Sequence, residues 1–468
     1  MKRFRFASVI ARLPHLRLAI CFALVIATSL VAAPTATLVA AEGTVLLGAL
    51  NSIRAGELQA HVNVLADDQL EGREAGSSGG QAAGNYLAQH FSSAGLRGGG
   101  DDDSYFQMFD RGFRNVIGIL EGSDPELKRE YVLLGAHYDH VGYGNRSNSY
   151  GPTGHIHNGA DDNASGTAGI LETIDAFSGL PTPPRRSVVF VLWDGEEKGL
   201  LGSKHFLEHP TIPLQQLVFA VNVDMIGRLR NQRLMIFGSR TGWGLRRLVS
   251  TRNDTDDVLL DFSWEMKPNS DHFPFYSRGF PILMFHTDLH DDLHRPSDDA
   301  DKINSAGMQD VTRLLLEVIY ELADREKLSG FREACRQESK SGREGLEWPL
   351  PPTPPRLGIR WKNGPIENGV VLSAVESGSP ADKAGLRVGD RLVQFDHHPI
   401  TDATQFHLHV LAASSLITAL VQREGEAEPR EVSVPLAGKP TRLGIAWRED
   451  DAEPKTVILS RVVPGSPA

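Results

Sequence analysis

Short apolar, β-branched runs punctuate the middle of the chain: Tyr131–Ala136, Ser187–Trp193, Leu217–Val223, Leu234–Phe237 and Pro281–Phe285. Runs of this length without polar alternation predict strands buried on both faces. Stretches of helical character separate several of them, notably Ala164–Phe177 and Val311–Asp324. Upstream, residues 52–96 predict two helices with a loop between. Leu65-Ala66-Asp67-Asp68 closes the first, and Ala83, Leu87 and Phe91 recur at helical spacing in the second. Such alternation predicts an α/β three-layer sandwich around a central, mostly parallel mixed sheet. Its ligand crevice lies at the carboxyl ends of the strands.

The two ends of the chain read differently. Lys2, Arg3, Arg5, Arg12 and Arg17 precede an apolar run from Leu18 to Ala33, and small residues follow, with Val39-Ala40-Ala41 as a cleavage site. This is the pattern of an export signal over residues 1–41. The run is shorter than the ~20 residues of a spanning helix, so no stable membrane anchor is expected. Without the signal the net charge moves from −11 to −16, since five positive and no negative charges leave with it. An acidic protein of this kind excludes nucleic acid as a partner. Only Cys335 remains, so no internal disulfide can form.

Residues 42–330 therefore make the first domain, and 331–355 a charged, proline-rich linker expected to be a stiff, extended spacer. Beyond it the chain repeats itself. Arg356-Leu-Gly-Ile-Arg-Trp361 matches Arg442-Leu-Gly-Ile-Ala-Trp447, and Glu376-Ser-Gly-Ser-Pro-Ala381 matches Val463-Pro-Gly-Ser-Pro-Ala468. A period this long predicts tandem small domains. Residues 356–438 are a whole copy, and 439–468 the start of a second, incomplete one.

The chemistry gathers at the strand ends. His137 and Asp139 leave one face at the end of a strand, and Gly159-Ala-Asp-Asp-Asn-Ala-Ser-Gly166 sets adjacent acids at a turn that opens a helix. Asp194-Gly195-Glu196-Glu197, Asp224 and His294 each lie beyond a buried strand. Carboxylates and imidazoles rarely gather at core strand ends unless a cation pairs them, so the pattern points to a metal-dependent hydrolase. Neighbouring glutamates can divide the labour, one binding metal and the other accepting a proton from water.

With those segments in order, and with Gly135-Ala-His-Tyr-Asp-His140, Asn222-Val-Asp-Met-Ile-Gly-Arg228, Ser270-Asp-His272 and His294-Arg-Pro-Ser-Asp298, the chain resembles the M28 family of co-catalytic zinc peptidases from about residue 52 to 325. The resemblance implies a zinc-peptidase sandwich with two Zn²⁺ ions, for which Co²⁺ or Mn²⁺ could substitute. It implies that His137 and Asp224 hold one ion, Glu197 and His294 the other, and Asp162 bridges them. It makes Glu196 the general base and Asp139 the residue that orients His137. A cis peptide after Asp162 and attack by a metal-bridging hydroxide on peptide N-termini follow from the same likeness. His155, His157, His272 and His290 are then cleft or hydrogen-bonding residues, and Asp288, Asp291 and Asp292 a solvated loop.

Residues 356–438 resemble a β-rich PDZ domain, in which the Leu357-Gly358-Ile359 loop would receive a peptide C-terminus. The resulting expectation is an exported aminopeptidase, periplasmic or extracellular, with a PDZ module. Its rivals are a single-zinc glutaminyl cyclase on the same scaffold and a non-catalytic peptide-binding scaffold. Retention of His137 argues against the first, and retention of every ligand and the base against the second.

Overall fold

The computed structural model describes residues 46–253, 258–350, 355–441, 443–464 and 466–467. The expected signal over 1–41 lies outside them, as do prolines 351, 352 and 354 of the linker. The chain divides into two compact units, residues 1–336 and 337–468.

In the first unit the five predicted strands form as β4 (Tyr131–His137), β5 (Ser187–Trp193), β6 (Leu217–Val223), β7 (Arg233–Phe237) and β9 (Ile282–His286). Four more join them: β1 (Arg97–Gly98), β2 (Phe106–Phe109), β3 (Phe113–Leu120) and β8 (Leu259–Ser263). The nine-stranded sheet runs in the order β1-β3-β5-β4-β6-β9-β7-β8, with β2 paired to β3. Its centre, β5-β4-β6-β9, is parallel, and β3 and β7 join it antiparallel.

Side chains leave these strands alternately for two layers. Val132, Leu134, Ala136, Val188, Phe190 and Leu192 pack under α1 (Ala55–Leu65), α2 (Ser78–Ser93), α3 (Gly166–Ser178), α5 (Leu245–Arg252) and α7 (Ser305–Asp324). Leu133, Val189, Val191 and Trp193 pack on the other face under α4 (Leu201–Glu208) and α6 (His272–Ser277). The sandwich thus has the three layers expected. Gly135 in β4 is there for close approach, since a Cβ would come 2.6 Å from Trp193 Nε1. Ser77 caps α2 by accepting from Gly80 N, and Asn304 caps α7 by accepting from Gly307 N.

The segment expected to be an extended spacer differs from that reading. Residues 331–336 close on the first unit, with Phe331 edge-on to Tyr276 and Arg336 donating to Tyr276 O. A helix, α8 (Lys340–Glu347), then opens the second unit. Ser339 accepts from Gly342 N at its start, and Arg343 pairs with Glu347 along it. Local capping and an i,i+4 pair thus give helix to the charged run that precedes the prolines.

The second unit builds a small sheet in the order β10 (Ile359–Trp361), β11 (Val370–Val375), β12 (Arg391–Phe395), β14 (Leu416–Gln422), β15 (Arg430–Pro435), with β13 (His398–Pro399) on β12. Its helices are the short α9 (Pro380–Lys383) and α10 (Ala403–Ala412). A separate hairpin, β16 (Ile445–Glu449) and β17 (Val457–Val462), follows. The β10–β11 pair shifts register between Arg360 and Trp361, and the β16–β17 pair between Ala446 and Trp447. These positions correspond in the internal repeat, so the likeness extends from sequence to backbone.

Candidate metal centre

The loop that opens α3 is built to hold Asp162 still. Gly159 has φ +55°, and a Cβ there would meet Asp162 O at 2.3 Å and the His140 ring at 2.5 Å. Asp298 Oδ2 accepts from Asp161 N (2.9 Å) and Asp162 N (3.1 Å). Asp161 Oδ1 accepts from Gly227 N, and Asn163 Oδ1 from Gly166 N and Met225 N. The loop is thereby sewn to the end of β6. The Asp162–Asn163 peptide is cis.

Around Asp162 the structure brings together residues from four other segments. His137 Nε2 lies 3.3 Å from Asp162 Oδ1 and 3.4 Å from Asp224 Oδ1. On the other side, His294 Nε2 lies 3.1 Å from Asp162 Oδ2 and 3.2 Å from Glu197 Oε2. Each oxygen of Asp162 thus faces its own histidine–carboxylate pair. In a tetrahedral zinc site with bonds of 2.0–2.2 Å, neighbouring ligand atoms stand about 3.3–3.5 Å apart. The observed spacings match that edge closely. Asp224 Oδ1 is buried without a hydrogen bond, which a cation would satisfy. The donor set fits zinc on both sides.

Backbone carbonyls orient the imidazoles. His137 Nδ1 is 3.1 Å from Asp139 O, and His294 Nδ1 is 2.9 Å from Asn148 O. The Asp139 carboxylate stands 3.8 Å from His137 Nδ1 and instead accepts from Glu196 N at 3.0 Å. Residue 139 therefore touches His137 through its main chain and anchors Glu196 through its side chain.

The electrostatics are those of crowded acids. Burial, reinforced by the Glu197 charge, raises the Glu196 carboxyl well above the usual range against the pull of His137. Burial also raises Asp139, helped by Asp194. Burial and Asp162 push Glu197 up as well, but hydrogen bonds from His140 and His294 outweigh them and bring it down to about 2. Burial opposes charge on His294, yet its bonds to Asp162 and Glu197 carry its pKa up to about 11.

Some residues at the centre had no assigned role in the sequence. His140 Nδ1 lies 2.8 Å from Glu197 Oε1. It stands within the quoted His137-to-His140 segment, but nothing in spacing separates a ligand from its neighbour. Arg73, fully buried, donates to the carbonyls of Leu65, Tyr138, Asn158 and Gly159. Its distance along the chain from these partners left no local signal. Among the other histidines, His157 bonds Ser149 Oγ, His290 faces Asp161 at 3.1 Å, His155 is exposed, and His272 is buried with its pKa pulled down to about 4. One expectation is corrected: Asp292 is no solvated loop residue. It accepts from Arg228 (2.8 Å), a cation brought from a distant segment, and from Lys302 (2.7 Å) and the Ser297 hydroxyl (2.6 Å) close by in the chain.

In the second unit, Leu357, Gly358 and Ile359 line one wall of a groove of about 370 Å³. Phe406, His407, Val410 and Leu411 of α10 line the groove as well.

Residues 115–319 match the model of peptidase family M28, and residues 355–436 match that of the PDZ domain. The match to family M28 lies within the first unit and the match to the PDZ domain within the second. Among curated relatives, aminopeptidase YwaD of Bacillus subtilis is 26% identical over 223 residues, which is 46% of this chain and 46% of that protein. Leupeptin-inactivating enzyme 1 of Streptomyces exfoliatus is 28% identical over 36% of this chain and 34% of its own length. The chain thus spans about half the length, or less, of these relatives. Among solved structures, the LapA aminopeptidase of Legionella pneumophila superposes with a TM-score of 0.51 at 21% identity, covering 60% of this chain and 74% of that one. That likeness concerns the fold. Among the described residues, no helix is long and apolar enough to cross a membrane.

Proposed function

We propose that the chain is an exported dizinc aminopeptidase that removes N-terminal residues from peptides. The observation that carries this reading is Asp162, whose two carboxylate oxygens face His137 with Asp224 on one side and His294 with Glu197 on the other. The curated relatives' names, aminopeptidase YwaD and probable leucine aminopeptidase, support the substrate class. These five residues would hold the two ions, Zn²⁺ by their donor types, with Co²⁺ or Mn²⁺ as substitutes.

When bound, such a pair of ions lowers the pKa of a water molecule and polarises a scissile carbonyl. The protein's own part is proton transfer and positioning. Glu196, its pKa raised by burial, takes the proton of the attacking water and delivers it to the leaving amine nitrogen. Asp139 fixes Glu196 through the backbone N–H, and its own carbonyl fixes the His137 ring. The PDZ groove would take an extended peptide C-terminus along β10.

The test is cleavage of one peptide series with free, acetylated and N-terminal Gln ends, by zinc-loaded protein and its Glu196→Gln variant. Release of the first residue from free-amine peptides alone, falling about 10²–10⁴-fold in the variant at unchanged metal content, is expected. Cyclisation of the Gln peptide with the others intact would replace this reading by a cyclase.

A further inference from the structure

Two histidines and two acids meet where α1, α2 and α3 converge, apart from the loop that carries Asp162. His61 lies on α1, His90 on α2, and Glu172 and Asp175 on one face of α3, three residues apart. His90 Nε2 is 3.0 Å from Asp175 Oδ1, and His61 Nε2 is 3.5 Å from Glu172 Oε1. The two imidazoles stand edge to face with centroids 5.2 Å apart. One donor atom from each of His61, His90 and Asp175 lies within 4.8 Å of the other two.

Three features distinguish this group from a chance surface cluster. His61 Nδ1 is tied to the Tyr86 hydroxyl at 2.6 Å, which turns Nε2 toward the acids, as an outer-shell partner orients a metal ligand. The Glu172 side chain is only 5% exposed, and a carboxylate so buried calls for a positive partner. Asp175 is 47% exposed, leaving one side open as an entry path. Two imidazoles with one or two carboxylates are a donor set that suits Zn²⁺, Co²⁺ or Ni²⁺.

We propose that His61, His90 and Asp175, with Glu172 beside His61 Nε2, form a separate divalent-cation site. Asp175 lies nine residues beyond Gly166 along α3, so the site is roughly 13 Å along that helix from the loop holding Asp162. Its role is structural: α1 packs against that same loop, and an ion joining α1 to α2 and α3 clamps it in place. The inference stands whether or not the chain is a peptidase.

The test counts ions. Full-length protein is stripped with a chelator and titrated with Zn²⁺ by calorimetry, alongside His61→Gln/His90→Gln and Tyr86→Phe variants. The double variant is expected to bind one ion fewer per chain and to lose part of the Zn²⁺-dependent rise in Tm, with peptide cleavage retained at saturating zinc. Tyr86→Phe keeps the ion but weakens it about 10-fold or more. Should the double variant fail to fold, zinc-edge anomalous scattering from wild-type crystals decides. A peak between His61 and His90 sustains the site; equal ion counts, or no peak there, overturn it.

Discussion

Arg73, itself fully buried, directs its N–H groups to the carbonyls of Leu65, Tyr138, Asn158 and Gly159. Burial pulls its pKa down to about 10, against the opposing charges of Asp162 and Asp139, so it remains a cation at neutral pH. It thus gives the crowded acids a fixed positive neighbour and ties the segments either side of the metal loop. Arg73→Ala leaves buried acceptors unpaired and should destabilise the first unit by about 3 kcal/mol or more in urea denaturation. Arg73→Lys, with a point charge in place of a planar fork, should recover only part of that.

The loop 160–165 owes its shape to distant strands as much as to its own residues. Asp298 accepts from two of its amides, and the N–H groups of Met225 and Gly227, just beyond β6, donate to its Asn163 and Asp161 side chains. Asp298→Ala should therefore lower zinc affinity about 10–100-fold in chelator competition while the secondary structure persists. Asp298→Asn, which keeps one acceptor oxygen, should lose less. The strands themselves were readable as uninterrupted apolar runs, because burial on both faces of β4, β5, β6 and β9 leaves no polar alternation. β8 was not: in Leu259–Ser263 only Phe262 and Ser263 are buried, so the run is mixed and short. The helix Lys340–Glu347 was hidden by charge, and its cap and ion pair appear only when side chains are placed.

The molecule's two units answer to different stresses. The residues proposed as zinc ligands all belong to the first, so a chelator should lower its calorimetric transition and leave that of residues 337–468 unmoved. A single shared shift would contradict this. In the second unit Asp390 is buried and receives both Nε and Nη2 of Arg423 at 2.7 Å. Burial pushes its carboxyl up, but the Arg423 hydrogen bonds outweigh that and hold it below the ordinary value. A folded pKa below the unfolded one stabilises above about pH 4 and is lost as pH falls through the depressed value. Stability of the second unit should accordingly decline below pH 4, and Arg423→Gln should flatten that decline in denaturation curves at pH 2–6.

The linear chain determined what each segment is made of. It set the buried strands, the capped helices, the internal repeat, and acids and histidines waiting at strand ends, because periodicity and local chemistry act over a few residues. Only the tertiary structure decided which strand lies beside which. That order sets His137, Asp162, Glu197, Asp224 and His294 within 3.1–3.4 Å of one another in pairs. It also gave Asp292 its cations, His140 its place against Glu197, and His61 and His90 their shared acids. The physical reason is that such contacts join residues tens to more than a hundred positions apart, and their energies exist only once the core has closed around them.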